Sequence, residues 1–255
     1  MLHNFRIFLL LSFLSQQSFS QNNKTEPNNN THSLSIGAAI VTTQSIYTGG
    51  ENETRLFPAF NYKFKQFYIQ GSVMGLHVFN DNKFEFDLGL GADITNNIDR
   101  QNSDQLVDMP NLSMPFNAFL SAKYKSSIGH FKIAYEEEIN NKHNGNKIVY
   151  SYTAAFHAGK WLFIPQLKAS QYDAKAMNYF YGVTQDFSLA NRPLYTLDKE
   201  FVYQIGTSII YPFNKKTTLI TRVNLDIFGN EIKNSPIVED DKSVSLVVAL
   251  TYKFF

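Results

Sequence analysis

The tripeptide His143-Asn144-Gly145 is the part of the chain that most resembles the surroundings of a catalytic base. A histidine activates a serine or threonine nucleophile only when that hydroxyl lies within hydrogen-bond reach of the imidazole ring. No serine or threonine adjoins His143 in the sequence. An asparagine followed by a glycine also readily adopts the positive φ angles of a tight hairpin. The tripeptide therefore predicts an exposed turn rather than the active site of a hydrolase.

Three consecutive carboxylates, Glu136, Glu137 and Glu138, are a second candidate for chemistry. Paired carboxylates can serve as general acid and base or can bind a cation. In an extended strand, however, alternation sends Glu136 and Glu138 to one face and Glu137 to the other. We expect Glu136 and Glu138 to line a polar interior together with His157. A lone histidine is weak evidence for a metal site. The sequence predicts no catalytic, cofactor or metal residues.

The strand that ends the chain, residues 243–255, indicates what kind of element must hold these side chains. Side chains that point to opposite faces with period two indicate an extended strand. One face carries Val244, Leu246, Val248, Leu250, Tyr252 and Phe254, whereas the other carries Ser243, Ser245, Val247, Ala249, Thr251 and Lys253. A strand of a soluble sandwich can also bury six apolar residues, but an aromatic end is typical of the interfacial girdle of an outer-membrane barrel. The pattern favours the closing strand of a transmembrane β-barrel.

Composition supports the same class. Apolar residues make up 44% of the chain and the mean hydropathy is -0.24, with no run of about 20 apolar residues that could form a spanning helix. Residence in a membrane must then be by a closed barrel, and the aromatic content of 15% suits lipid-facing strands. The chain has no cysteine, which excludes disulfides and thiolate metal sites.

The amino terminus has the parts of a secretory signal peptide. Arg6 precedes a short apolar core at residues 7–14, and Ser18 and Ser20 are small enough for a signal peptidase. We predict cleavage after Ser20, since eight apolar residues are too few for a membrane anchor. Residues 21–33 are rich in Asn, Gln and Thr and predict a disordered lead-in to a barrel over residues 34–255. Cleavage removes Arg6 and leaves a neutral chain, which gives no support for nucleic-acid binding.

Alternation and turn residues predict eleven strands. They are residues 34–47, 55–63, 67–80, 83–95, 114–125, 129–140, 147–159, 161–171, 200–211, 217–228 and 243–255. Long links at 96–113, 172–199 and 229–242 alternate with short ones, as extracellular loops and periplasmic turns do in outer-membrane barrels. A barrel with both ends in the periplasm needs an even number of strands. We therefore predict that residues 67–80 form two short strands broken near Gly71 and Gly75, or that the first two strands are misassigned, which gives twelve strands, with ten as the alternative.

Ordered motifs in the long links resemble a known family. They are Tyr47-Thr48-Gly49-Gly50, Arg55 to Pro58, Tyr179-Phe180-Tyr181-Gly182-Val183, Pro193 with Tyr195, and Ser235-Pro236-Ile237-Val238. In this order before a terminal barrel strand, they resemble the MltA-interacting protein (MipA) and outer-membrane protein V (OmpV) family of Gram-negative bacteria over about residues 36–255. Two departures are Gly50, where members usually have serine, and Phe255, which extends the usual aromatic end.

The resemblance implies an outer-membrane barrel without catalytic residues. It implies a scaffold that brings a periplasmic lytic transglycosylase and a peptidoglycan synthase together, although some members are described as adhesins or small-solute pores. The charges expected in the lumen are of both signs: Glu85, Asp87, Asp93, Glu136 and Asp226 with Lys132, Lys168 and Arg222. Such charges tend to pair across a narrow interior, which favours a scaffold over a general pore, and a barrel lipid hydrolase is a more distant alternative.

On this topology the periplasmic end is basic. Its stretches carry Lys63, Lys65, Lys83, Lys123, Lys125, Lys132, Lys160, Lys215, Lys216 and Lys253 against Asp81. Outward lysines can engage the phospholipids of the outer membrane, and we predict that Lys125, Lys215 and Lys216 at turn tips attract an acidic face of a partner enzyme. The aromatic end formed by Tyr252, Phe254 and Phe255 is the predicted assembly signal.

Overall fold

A computed structural model describes residues 32–92 and 100–255. The predicted signal peptide lies outside the described residues, as does all of the predicted lead-in except its last two residues. Of those two, Ser33 already belongs to the first strand. The described residues form one antiparallel sheet that closes on itself.

Thirteen strands make up the sheet in the described ranges. They are β1 Ser33–Thr43, β2 Glu53–Phe64, β3 Phe67–Gln70, β4 Val73–Asn80, β5 Phe84–Ala92, β6 Phe116–Ser126, β7 Gly129–Glu138, β8 Asn146–Thr153, β9 Phe156–Ala158, β10 Trp161–Tyr172, β11 Glu200–Pro212, β12 Thr217–Phe228 and β13 Lys242–Lys253. Both β8 and β9 pair with β10 in one continuous register, so they are two parts of a single wall strand. The barrel therefore has twelve strands, as predicted, and not ten.

Closure follows from the pairing of the first strand with the last. Ser35 lies opposite Lys253 and Thr43 opposite Ser245, so that β1 and β13 run side by side along almost their whole length. The chain thus enters and leaves at the same end of the barrel. Closing the sheet in this way removes the free edges that an open sheet would expose.

The two faces of β13 are those expected from its alternation. Val244, Leu246, Val248, Leu250 and Tyr252 are exposed on the outside of the barrel. The alternate residues turn inward, and among them Ala249 is completely buried while Thr251 is nearly so. The apolar face of the strand is therefore the outer face, as a lipid solvent requires.

Links between strands differ in length at the two ends of the barrel. At the end that holds both termini, which we call the turn end, the links are residues 65–66, 81–83, 127–128, 159–160 and 213–216. At the opposite end, the loop end, they are residues 44–52, 139–145, 173–199 and 229–241 and the segment before β6, of which residues 100–115 are described. The β3–β4 hairpin turns at residues 71–72, level with Phe60 of β2. The loop end contains the helices α1 Ala174–Tyr181 and α2 Asn230–Lys233 and two short 3-10 turns, Arg100–Asn102 and Gln185–Phe187. None of the helices in the described residues is long and apolar enough to cross a membrane.

Two predicted strand bounds need correction. Residues 67–80 do divide into β3 and β4, but the break is at Gly71, whose φ is 61°, and not at Gly75, which lies inside β4. The first strand ends at Thr43 rather than at Tyr47, because Ile46 and Tyr47 leave the wall and become buried among the loops. Strand β5 is described as far as Ala92, and residues 93–95 of the predicted strand lie outside the described residues.

Candidate functional site

A packed apolar cluster covers the loop end of the barrel, and we call it the cap. Its buried members are Ile46, Tyr47, Leu106, Met109, Leu112, Tyr172, Ala176, Met177, Phe180, Tyr181, Val183, Leu197, Val202, Ile232 and Ile237. They come from loops 44–52, 173–199 and 229–241, from residues 100–115, and from the ends of β10 and β11. Because these side chains bury one another, the cap is a small hydrophobic core built across the mouth of the barrel.

Hydrogen bonds tie the loops of the cap together. The Tyr47 hydroxyl donates to the carbonyl oxygen of Phe180 at 3.0 Å, and the Ser235 hydroxyl donates to that of Tyr181 at 2.6 Å. Burial raises the pKa of Tyr47, so its phenol stays protonated and keeps this bond. Three of the motifs that carry the family resemblance, those beginning at Tyr47, Tyr179 and Ser235, therefore meet in the cap. The motif from Arg55 to Pro58 lies in the wall strand β2.

Arg192 fastens two of these loops. Its guanidinium, which is only 4% exposed, binds the Asp108 carboxylate with two hydrogen bonds, one of them at 2.9 Å between Nη1 and Oδ1. Nε also donates to the Phe187 carbonyl at 2.9 Å, and Nη1 to the Gln105 carbonyl at 3.1 Å. The Arg192 guanidinium holds the pKa of Asp108 below its ordinary value.

His143 takes part in the structure of loop 139–145. Its Nδ1 accepts a hydrogen bond from the Gly145 amide at 2.9 Å, and its ring contacts Tyr179 of α1. The tripeptide does lie in a link between strands, but the link is not the exposed turn that was predicted, since Gly145 is buried and His143 half-buried. Positive φ falls at Asn141 and Asn144 and not at Gly145. The link is longer than a two-residue hairpin, so contacts other than those of a tight turn must hold Asn141 and Asn144 at positive φ.

Glu138 supplies those contacts. One of its carboxylate oxygens accepts the amides of Lys142, His143 and Asn144 at 2.8 to 2.9 Å. The carboxylate thereby satisfies backbone donors that no strand partner reaches. The sequence placed Glu138 on the inner face correctly but did not indicate that it organises the loop.

The two other glutamates of the run each have a separate partner. Glu136 faces the lumen and pairs with Lys147 at 3.3 Å, and Asn117 also donates to it. Glu137 faces outward and accepts a hydrogen bond from the Tyr135 hydroxyl. The acidic run is thus three separately held carboxylates rather than an acid and base pair.

A network of charges occupies the lumen near the turn end. Glu85 forms ion pairs with Lys123 and, at 3.1 Å, with Lys125, while Asp87 lies 2.6 Å from Nδ1 of His77. The ligand atoms of His77, Glu85 and Asp87 lie within 4.8 Å of one another, an arrangement that can suit a metal ion. The positive charge beside Glu85 is already supplied by the two lysines, so the geometry fits an ion-pair network better than a metal centre.

Other polar side chains in the lumen are held in the same way. Nε2 of Gln204 donates to Asp226 at 2.7 Å, and Nε of Arg222 donates to Ser208 at 2.8 Å. Asp93, also expected in the lumen, lies outside the described residues. His157 pairs in register with Leu162 and so lies on the inner face near the turn end, as predicted.

Exposed lysines surround the turn end, and we call this group the basic rim. Its members are Lys65, Lys83, Lys160, Lys215, Lys216 and Lys253. Among the described residues of the short turns, Asp81 is the one acid, and its carboxylate accepts the amides of Lys83 and Phe84. The rim therefore presents positive charge from four of the five turns and from the end of β13.

Lys125 lies elsewhere than the sequence indicated. It is the penultimate residue of β6 rather than a turn tip, and it pairs in register with His130. Period-two alternation turns it toward the lumen, where it reaches Glu85 and the carbonyl of Asp81. Its charge is therefore largely compensated by Glu85 inside the barrel.

The aromatic chain end lies on the outside of the turn end. Tyr252 and Phe254 are exposed, with ring centroids 5.2 Å apart in an edge-to-face arrangement. Phe255 is exposed too, and its carbonyl accepts the Leu34 amide at 3.1 Å. The final residues thus stay attached to β1 beyond the last strand.

Sequence reasoning missed the cap because it treated the long links only as separators of strands. The composition of these links did indicate buried packing. Links 173–199 and 229–241 carry more large apolar residues than loops exposed to water would be expected to have. The Arg192–Asp108 pair had no such signal. It joins positions far apart in the chain, and only the fold brings them together.

Comparison with known proteins gives this architecture a family. The sequence profile described as MltA-interacting protein MipA matches residues 36–254. The putative outer membrane protein YiaT of Escherichia coli K12 is 23% identical over 227 residues, which cover 87% of this chain and 91% of the relative. Outer membrane protein OmpV of Vibrio cholerae is 22% identical over 198 residues and covers 76% of each chain.

Among solved structures, the COG4313 outer membrane channel from Pseudomonas putida F1 is similar over 91% of this chain and all of that one, at 10% identity and a TM-score of 0.44. The profile match extends over nearly all of the closed barrel, and the relatives are named as outer membrane proteins. This chain therefore belongs to the MltA-interacting protein MipA family and is a twelve-stranded β-barrel of the outer membrane.

Proposed function

We propose that this protein is a non-enzymatic scaffold that docks periplasmic cell-wall enzymes, a lytic transglycosylase and a peptidoglycan synthase, on its basic rim. In outer-membrane barrels the short turns face the periplasm and the long loops face outward, which puts the rim on the periplasmic side. The observation that carries the proposal is the ring of exposed lysines with Asp81 as the one acid among the described turn residues. The family description names MltA as an interaction partner, which supports a partner of this kind.

Electrostatics make the rim suited to recruitment. Clustered lysines raise the rate at which an acidic protein surface associates, and their reach is about 8 Å at physiological salt. A partner held mainly by such charges binds less tightly as salt is added. The packed cap adds to the argument, since it restricts the extracellular mouth and leaves the rim as the open face.

Lys215 and Lys216 are the centre of the proposed docking site. They are adjacent and exposed in the longest periplasmic turn, residues 213–216. Lys125 has a smaller part in the proposal, because Glu85 already compensates its charge. Phospholipid of the inner leaflet is the competing acidic surface, and it would engage the outward rim lysines of any barrel.

The test measures the affinity of a purified soluble lytic transglycosylase for the barrel in nanodiscs across a salt series. Changing Lys215 and Lys216 to glutamate should weaken binding by tenfold or more at low salt and by much less at high salt. Changing Lys175 and Lys199 to glutamate, exposed lysines of the loop end, makes the same change in net charge and should leave the affinity unchanged. Lys125→Gln should lower it less than twofold. Equal affinity and equal salt dependence in all variants would contradict docking on the rim and would indicate that the rim lysines engage phospholipid.

A small-solute pore is the second candidate function. The cap opposes a wide axial channel, because its buried side chains come from several loops at one mouth of the barrel.

A further inference from the structure

Two lysines lie opposite each other on the inner face of the barrel near the turn end. Lys123 of β6 and Lys132 of β7 are partners in the strand register, and alternation turns both side chains inward. Like charges directly opposite each other in a sheet repel and destabilise the pairing. A negative charge close to both side chains would offset this repulsion.

Glu85 supplies such a charge to Lys123 but not to Lys132. Lys123 forms an ion pair with Glu85, and Lys125 pairs with the same carboxylate at 3.1 Å. Among the described residues, the Lys132 ammonium forms neither an ion pair nor a hydrogen bond, and its Nζ lies 5.8 Å from the centre of the Phe119 ring. One carboxylate is thus shared by two lysines, and the charge of the third is left over.

The other carboxylates on this part of the inner face already have partners. Asp87 lies 2.6 Å from Nδ1 of His77, and Glu136 pairs with Lys147 at 3.3 Å. A charge inside a protein is unfavourable when no opposite charge or hydrogen bond compensates it. Lys132 is therefore a cation suited to receiving an anion from outside the chain.

A buried hydroxyl without a hydrogen-bond partner lies beside Lys132. Ser121 of β6 is only 3% exposed, and its Oγ has no partner within the part of the chain that the structure describes. Ser121 lies opposite Ala134 in register, so it is a diagonal neighbour of Lys132 on the inner face. The Cβ atoms of diagonal neighbours are roughly 7 Å apart, a separation that one oxyanion can bridge with two hydrogen bonds. Because an unpaired buried hydroxyl is itself unfavourable, such a ligand would satisfy both groups.

The Lys132 side chain faces the lumen close to the turn end. It is the fourth residue of β7, which begins after the turn at residues 127–128, so it lies about 10 Å inside that end. Lys132 and the neighbouring Phe119 are half-buried, and inward side chains of this continuous part of the wall are exposed only to the lumen. A small solute in the lumen can therefore contact the ammonium and the ring together.

We propose that Ser121 and Lys132 form a binding site for a small carboxylate that enters the lumen from the turn end. The ammonium supplies charge and the hydroxyl a hydrogen bond, while the Phe119 ring offers a surface to the apolar part of the ligand. Three lysines face Glu85 and Asp87 here, which leaves one positive charge and favours a monoanion over a dianion such as a phosphate monoester. The site is separate from the basic rim and does not depend on scaffold docking.

The probe is trifluoroacetate, a monoanion at neutral pH, with the full barrel in phosphatidylcholine nanodiscs and fluorine nuclear magnetic resonance as the readout. Saturable broadening of the probe resonance beyond that of empty nanodiscs is expected for the wild type. Acetate should displace the probe at a lower concentration than phosphate or chloride. Lys132→Gln should weaken binding by tenfold or more. Lys168→Gln is the matched control, since it removes an inward lysine of the same register row two strands away, and it should bind within twofold of the wild type.

Ser121→Ala separates binding from assembly. Loss of the hydroxyl donor should weaken binding severalfold, whereas the empty barrel should assemble as fully as the wild type, judged by heat-modifiable electrophoretic mobility. The empty variant should also unfold at a slightly higher temperature, because an unpaired buried hydroxyl has been removed.

Binding that is absent in the wild type, or equally strong in Lys132→Gln and Ser121→Ala, overturns the proposal. Displacement by phosphate or chloride at a lower concentration than acetate would contradict a carboxylate site. Loss of binding when Lys215 and Lys216 are changed to glutamate would contradict it too, because the probe would then be held on the basic rim.

Discussion

Arg192 and Asp108, which are 84 positions apart in the sequence, join two loops at the loop end of the barrel. The arginine is buried and the aspartate is about half exposed, so the pair closes the cap at its surface. Because the pKa of Asp108 is lowered in the closed cap, the closed state binds fewer protons than the open state. The Arg192–Asp108 pair therefore stabilises the closed cap fully above the ordinary aspartate pKa of about 4. This stabilisation is lost as the pH falls through the lowered pKa of Asp108.

We therefore expect the cap to loosen in acid. A nitroxide attached to Val107→Cys, an exposed position beside the pair, should become more mobile in electron paramagnetic resonance spectra as the pH falls from 7 toward 2.5. With Asp108→Asn added, the label should be mobile throughout, and the remaining pH dependence should be small. The pKa of Asp241 is also lowered, by Lys233, so protonation of Asp241 in acid could loosen the loops as well. The comparison with Asp108→Asn separates the two effects. A wild-type label that stays immobile in acid would show that the pair does not hold the loops.

At the next scale, β13 is the element whose structure the sequence specified most fully. Its alternation alone identified the outward and inward faces, because a lipid face and a polar face leave opposite compositions at period two. The same reasoning failed at Tyr47, where an apolar residue after a strand belongs to the cap and not to the wall. It also could not foresee how short β3 would be, since four residues are too few to alternate informatively.

Phe254, which follows β13, is predicted to take part in recognition by the assembly machinery. A charge at a membrane interface costs roughly 0–1 kcal/mol, which accounts for a fewfold loss at most. Phe254→Asp should nevertheless reduce the assembled barrel in cells by more than tenfold, while purified protein still refolds into liposomes nearly as well as the wild type. Ser245→Asp, on the inner face of the same strand, is the control. Similar losses for the two variants in cells would refute a recognition role.

The whole molecule is a barrel with different chemistry at its two ends. One end is closed by an apolar cap drawn from long loops, and the other presents lysines on short turns. The number of strands, their faces and the basic character of the rim could all be derived from the sequence, because each depends on local patterns. The cap and the lumen ion pairs could not, because each arises from contacts between distant segments.

The orientation of these two ends is the central claim, and single cysteines can test it directly because the chain has none of its own. Lys199→Cys replaces an exposed lysine of the loop end, which we expect to face outward, and Lys215→Cys one of the turn end, which we expect to face the periplasm. The reagent is a polyethylene-glycol maleimide of about 5 kDa, too large to pass the outer membrane. It should modify Lys199→Cys in intact cells and Lys215→Cys only after the outer membrane is permeabilised. Modification of Lys215→Cys in intact cells, with Lys199→Cys protected, would contradict the account.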